Sequence, residues 1–211
     1  TPLYSSAASD VYKRQGYILP LGDLLMRLAL QAARRLSESG YAEIRVAINV
    51  SATQLLQRDF IERFTLHLEA AGVSAAQVEL EITESVAMRS FEQVCEQLLA
   101  LRAMGVKVAI DDFGTGFSSL SYLRQLPADR LKIDRSFVEE LRAGDDGQAI
   151  AEAVIQIARR VGMTVIAEGV ENQQQVEWLK QHDCLEAQGY LFAKPMSLER
   201  LLSWLGERSS R

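Results

Sequence analysis

The chain has 211 residues, 48% of them hydrophobic, with a formal net charge of -5, two histidines and two cysteines. That is enough apolar content for one sizeable core, and the acidic balance excludes a broad electrostatic grip on nucleic acid, so an anionic ligand needs local cations or metal ions. No run approaches the roughly 18 apolar residues of a membrane helix and the start lacks the basic-then-apolar order of a secretory signal, which reads as cytoplasmic.

In chain order, residues 1–15 (TPLYSSAASDVYKRQ) share neither the periodicity nor the apolar content of the rest of the chain. They are expected to be a non-native or disordered leader, similar to the translation of a sequencing-adapter remnant, ahead of a single domain over 16–211. A helix-like stretch begins at about Leu21. From there strand-like and helix-like segments alternate, the pattern of βα units and a parallel sheet. Strands are expected over 45–51, 78–84, 106–112, 130–134, 164–168 and 187–192. The runs VKVAI and TVIAEG are apolar nearly throughout, as where both faces are buried. Helices are expected where apolar residues recur at spacings of three and four. Phe60, Phe64, Leu68 and Ala71 run to Gly72; Phe91, Val94, Cys95, Leu98, Leu101 and Met104 run from a Ser90 cap to Gly105; Ile150, Ala153, Val154, Ile157, Ala158 and Val161 run to Gly162.

Each strand ends in a polar side chain: Asn49 and Ser51, Glu81 and Glu84, Asp111 and Asp112, Lys132 and Asp134, Glu168 and Glu171, and Gln188. In a closed parallel barrel those ends gather at one mouth, where barrel enzymes keep their chemistry. An open doubly wound sheet is the alternative, but a polar residue at nearly every strand end favours a barrel whose first strands are missing. Two carboxylates about 4 Å apart repel by about 4 kcal/mol at an effective dielectric of about 20, so such a cluster calls for a cation. Hard oxygen donors suit Mg²⁺ or Mn²⁺ acting on a phosphate ester.

In VELEITES, period-two alternation puts Glu79 and Glu81 on one face, with Glu81 nearer the strand end and the better ligand. Glu84, beyond the strand, is either a further ligand or a brace for a loop. Lys132 in RLKID lies on an apolar run and needs a partner. It either orients or helps deprotonate a metal-bound water, or forms a salt bridge to Asp134 or Glu168. The segment FGTGFSSL falls short of a phosphate-cradling loop; its glycines predict mobility, with Ser118 or Ser119 capping the next helix. Cys95 and Cys184 read as buried free thiols, and His67 and His182 as surface or packing residues.

The ordered set NVSATQL, ELEITES, AIDDFGTGFSSLSYLRQLPADRLKIDRSFV, VIAEGVE and AQGYLF resembles the EAL family of cyclic di-GMP phosphodiesterases, over about residues 16–205. The resemblance implies a TIM-type (β/α)8 barrel, here incomplete, that hydrolyses cyclic di-GMP to linear pGpG with two Mg²⁺ or Mn²⁺ ions. The family's metal ligands fall on Asn49, Glu81, Asp111, Asp112 and Glu168, with Asp111 in the bridging place. Lys132 matches the lysine that contacts the attacking water, Glu171 and Gln188 match residues shaping the substrate end, and Glu84 matches the glutamate that steadies the loop after Asp112. The resemblance also implies a homodimer built partly through that loop and its neighbouring helix, and upstream sensory or diguanylate cyclase domains in the parent protein. The Glu-Ala-Leu motif itself, a metal ligand in the family, and its nearby arginine do not occur in the 211 residues. The chain by itself is therefore expected to be inactive or poorly folded, and the parent protein active. The rivals are a non-catalytic cyclic di-GMP receptor, which would be expected to lose metal ligands, and a Mg²⁺ barrel enzyme with a lysine base, which would not call for Asp-Asp-Phe-Gly.

Overall fold

In a computed structural model the described residues are 18–88, 90–114, 120–141 and 146–209. The leader expected over 1–15 and the serines expected to cap the helix after FGTGFSSL lie outside them. Six strands form one sheet in strict chain order, all parallel: β1 (Val46–Asn49), β2 (Val78–Thr83), β3 (Lys107–Phe113), β4 (Arg130–Ile133), β5 (Thr164–Ala167) and β6 (Glu186–Ala187). The helices are α1 (Ile18–Glu38), α2 (Ala52–Leu55), α3 (Phe60–Ala71), α4 (Glu84–Met88), α5 (Phe91–Ala103), α6 (Leu120–Leu123), α7 (Arg135–Glu140), α8 (Asp146–Arg160), α9 (Gln173–Gln181) and α10 (Leu198–Ser209).

The sheet curls into an incomplete barrel, and its side chains give the reason. Arg130 of β4 contacts Glu79 of β2 at 3.2 Å and Glu186 of β6 at 2.6 Å. In a flat sheet β2 and β6 would stand about 19 Å apart at four strand spacings of about 4.8 Å. One guanidinium can touch both only if the strands wrap around it.

The helices cover the outside through the expected stripes. In α1, Met26, Leu30, Ala33 and Leu36 are buried; in α3, Phe60, Phe64 and Leu68 are buried, and the helix stops at Gly72. Side-chain capping boxes start α2 (Ser51 with Gln54) and α9 (Asn172 with Gln175), satisfying amide groups that would otherwise lack partners.

Three expectations are corrected. Ser90 does precede α5, but with φ 50 its side chain makes no capping hydrogen bond. On α8 the buried face is Ala151, Val154, Ile155 and Ala158, while Ile150 is 40% exposed. The segment carries two adjacent apolar stripes that share Val154 and Ala158, and the one through Ala151 and Ile155 faces the core. The last strand is two residues long instead of 187–192, because the chain after Ala187 turns away through Gln188 and Gly189.

Candidate active site

All nine residues singled out from the sequence lie at the C-terminal ends of the strands or in the segments just beyond them. Lys132, with its side chain 5% exposed, is the hub: its Nζ lies 2.8 Å from Glu81, 3.1 Å from Asp111 and 2.6 Å from Glu168. These residues come from β4, β2, β3 and the end of β5. Gln188, just beyond β6, donates from Nε2 to Glu168 at 2.7 Å and extends the chain of contacts. Asn49 closes β1 directly opposite Glu81 in the register. The Glu84 carboxylate accepts from the Gly114 amide at 3.1 Å. Of the two salt-bridge partners expected for Lys132, Glu168 is one of the three it has, whereas the Asp134 carboxylate caps α7 through the Ser136 amide.

Asp111 and Asp112 show a device that residue order does not reveal. In a regular strand adjacent side chains point to opposite faces. Here Ile110 pairs with Leu131 and Phe113 with Ile133, so two aspartates stand opposite the single residue Lys132. This β-bulge, with Asp112 at φ 55, turns the second aspartate toward the first. Aspartate is one of the few side chains that tolerates such a backbone.

Electrostatically the mouth holds more acid than its one cation neutralises. Burial raises the pKa of Glu81 and Glu168 above the ordinary carboxylate value; Lys132 opposes the rise, and the charge of Asp111 adds to it. Asp112 is raised by burial and by the charges of Asp111 and Asp134. For Lys132, burial pulls downward, but hydrogen bonds to Glu168 and Glu81 outweigh it and hold the amine firmly protonated.

The donor chemistry fits a hard divalent cation: carboxylates and an amide oxygen, with a positive charge already drawn among them. Among the described residues, however, no three acidic, histidine or cysteine side chains are grouped so as to hold a metal ion. Their oxygens are arranged around the ammonium. Binding a metal would require carboxylates to be shared with it or released from Lys132.

A cleft opens on either side of the hub. One runs past Asn49, Ser51 and Glu81 to Leu21 and Leu25 of α1. The other, beyond Glu168 and Gln188, is walled by Arg135, Glu171, Tyr190, Lys194 and Pro195. Glu171 is held there by Arg135 at 2.9 Å. Arg135 carried no signal in the sequence, since a single arginine after a strand end looks like any solvated charge.

The model of the EAL domain family matches residues 6–195. The chain belongs to the EAL domain family. Cyclic di-GMP phosphodiesterase NbdA of Pseudomonas aeruginosa is 42% identical over 190 residues, covering 90% of this chain and 24% of NbdA. The bifunctional diguanylate cyclase/cyclic di-GMP phosphodiesterase MucR of the same organism is 38% identical over 191 residues, 90% of this chain and 28% of MucR. This EAL domain thus spans about a quarter of the length of these relatives. Among solved structures, the MucR phosphodiesterase in complex with cyclic di-GMP superposes with a TM-score of 0.89 at 36% identity, covering 95% of this chain and 80% of that one. Klebsiella pneumoniae BlrP1 in a manganese and cyclic di-GMP complex gives a TM-score of 0.75 at 32% identity, over 84% of this chain and 45% of that one.

Proposed function

We propose that this EAL domain hydrolyses cyclic di-GMP to linear pGpG, using Mg²⁺ or Mn²⁺ held at the strand-end mouth. The observation that carries the reading is the uncompensated acid around Lys132: Glu81, Asp111 and Glu168 share one ammonium, with Asp112 beside them. Asn49, Glu81, Asp111, Asp112 and Glu168 would hold two ions. When bound, such ions supply positive charge to the phosphodiester oxygens and lower the pKa of water. The chain's own residues do the positioning. Lys132 orients the incoming water by donating to it, Glu84 fixes the loop after Asp112 through Gly114, and Gln188 and Glu171 bound the cleft that receives the rest of the dinucleotide.

Partners are part of the same reading. We propose a homodimer, built partly through the loop after Asp112 and its neighbouring helix, as the resemblance to the EAL family implies. The name of MucR supports a parent protein in which the domain answers to a cyclase or sensory partner. No helix among the described residues is long and apolar enough to cross a membrane. We place the reaction in the cytoplasm, or at the inner face of the membrane if the parent is anchored there.

The test is turnover. Cyclic di-GMP is incubated with Mg²⁺ or Mn²⁺ and the EAL domain joined to a strand that carries the Glu-Ala-Leu motif, and pGpG is followed by chromatography. Metal-dependent pGpG formation that is lost in Glu81→Gln is expected. Retention of intact ligand would instead identify a receptor, and neither binding nor turnover would end both readings.

A further inference from the structure

The cleft beyond Gln188 contains a second acid, Glu171, whose placement is controlled twice from one short helix. Arg135, the first residue of α7, donates from Nη2 to Glu171 Oε1 at 2.9 Å. The Glu171 amide donates to Gln175 Oε1 at 2.8 Å, and the buried Gln175 side chain in turn donates to the Val138 carbonyl of α7 at 2.8 Å. Side chain and backbone of Glu171 are thus both referred to α7.

The path of Arg135 is also specified. Its stem crosses Gly169, which has φ +74; a Cβ at that position would lie 2.3 Å from Arg135 Cγ. A non-glycine residue there would displace the base of the arginine side chain, not merely its tip, besides adopting an unfavourable backbone. Glu139, one helical turn along α7, already gives Arg135 a partner through Nε. An i,i+4 pair of that kind would satisfy the charge locally. The second bond, made over a glycine to another loop, is therefore unexplained by helix stability. Arg135 and Glu171 are 53% and 38% exposed, and exposed pairs contribute only about 0–1 kcal/mol to folding.

We propose that Arg135 is a positioning residue for the substrate end of the site, fixing the Glu171 carboxylate so that it accepts the paired N–H donors of a guanine edge. The inference rests on the cyclic di-GMP reading above. A carboxylate offers about four lone-pair sites, so one bond from Arg135 leaves acceptors for a ligand. Guanine presents its ring N1–H and exocyclic N2–H side by side, whereas adenine presents an acceptor at N1. Holding Glu171 in place therefore discriminates between the two bases, and a drifting Glu171 would not.

The experiment uses the EAL domain joined to a strand that carries the Glu-Ala-Leu motif, otherwise wild type or with Arg135→Ala or Arg135→Lys, and measures its binding of cyclic di-GMP and cyclic di-AMP in the presence of Ca²⁺ by titration calorimetry. Arg135→Ala is expected to weaken cyclic di-GMP about tenfold, the worth of one charge-assisted hydrogen bond. Cyclic di-AMP is expected to be unaffected, so the preference falls by the same factor, and Arg135→Lys recovers part of it. Unchanged affinity and preference in Arg135→Ala overturns the proposal while leaving the substrate reading intact. An equal loss for both dinucleotides with a lower melting temperature also overturns it, as a merely structural role. Wild type that binds neither dinucleotide overturns the substrate reading, and the proposal with it.

Discussion

Two layers of charge lie inside the same incomplete barrel, two residues apart on β4, and they are built to different rules. At the floor, Arg130 is shared by Glu79 and Glu186, and Arg45 stands 3.9 Å from Glu79. Two cations meet two acids. At the mouth, one cation meets three acids, with a fourth close by. The floor matches its acids with its own cations and stitches β2, β4 and β6 together. The mouth keeps an excess of negative charge that only something from outside can balance. Both layers bury ions, a costly arrangement; only at the mouth is the cost tied to a ligand.

The largest effect that would sharpen this contrast is expected from Lys132→Met. Removing the ammonium leaves Glu81, Asp111 and Glu168 facing one another, and the loss should be about 3–5 kcal/mol in urea unfolding. Millimolar Mn²⁺ should recover at least about 1 kcal/mol of it, because an ion that binds only the folded state stabilises it. Arg130→Met should cost a comparable amount, about 3 kcal/mol, by leaving Glu79 buried without its partner. Here Mn²⁺ should recover nothing. Equal rescue of both variants, or of neither, would dissolve the distinction between the layers.

A smaller effect separates the layers by pH. Asp129, near the floor, would be raised by burial, but hydrogen bonds from Lys107, the Val108 amide and Arg102 hold its carboxyl below the ordinary value. A depressed folded-state pKa contributes stability above the unfolded value of 3.8 and loses it as pH falls through the folded value. The stability gap between wild type and Asp129→Asn should therefore be full at neutral pH and close on acidification below that point. Glu81 and Glu168 are raised, so their sign is opposite: acidification toward their raised values relieves the mouth. Urea unfolding of Glu81→Gln should show its advantage over wild type at neutral pH shrinking as pH falls toward 4.5.

Much of this was legible in the residues, for reasons that also mark where legibility ends. Period-two alternation placed Glu79 beneath Glu81, and the strand-end acids announced the mouth, because strand direction and side-chain parity are local properties. The bulge at Asp111 and Asp112 was not legible, since register depends on the neighbouring strand as much as on the bulged one. The floor was missed although Arg130 and Lys132 stand two residues apart in RLKI: one alternation puts both on the inner face, but the partners of Arg130 lie 51 and 56 positions away in sequence, Glu79 before and Glu186 after. Helix α8 offered two apolar stripes, and only the sheet decided between Ile150 and Ala151. Arg135 became visible through Gly169, a conformational requirement that leaves no trace in hydropathy.

Strand order identical to chain order has a consequence for biosynthesis. Each strand leaving the ribosome finds the edge it must join already formed, so assembly can proceed vectorially as translation advances. Lys132 would emerge to a waiting Glu81 and Asp111, a trio already one negative charge in excess, and β5 would then add Glu168 and deepen that excess.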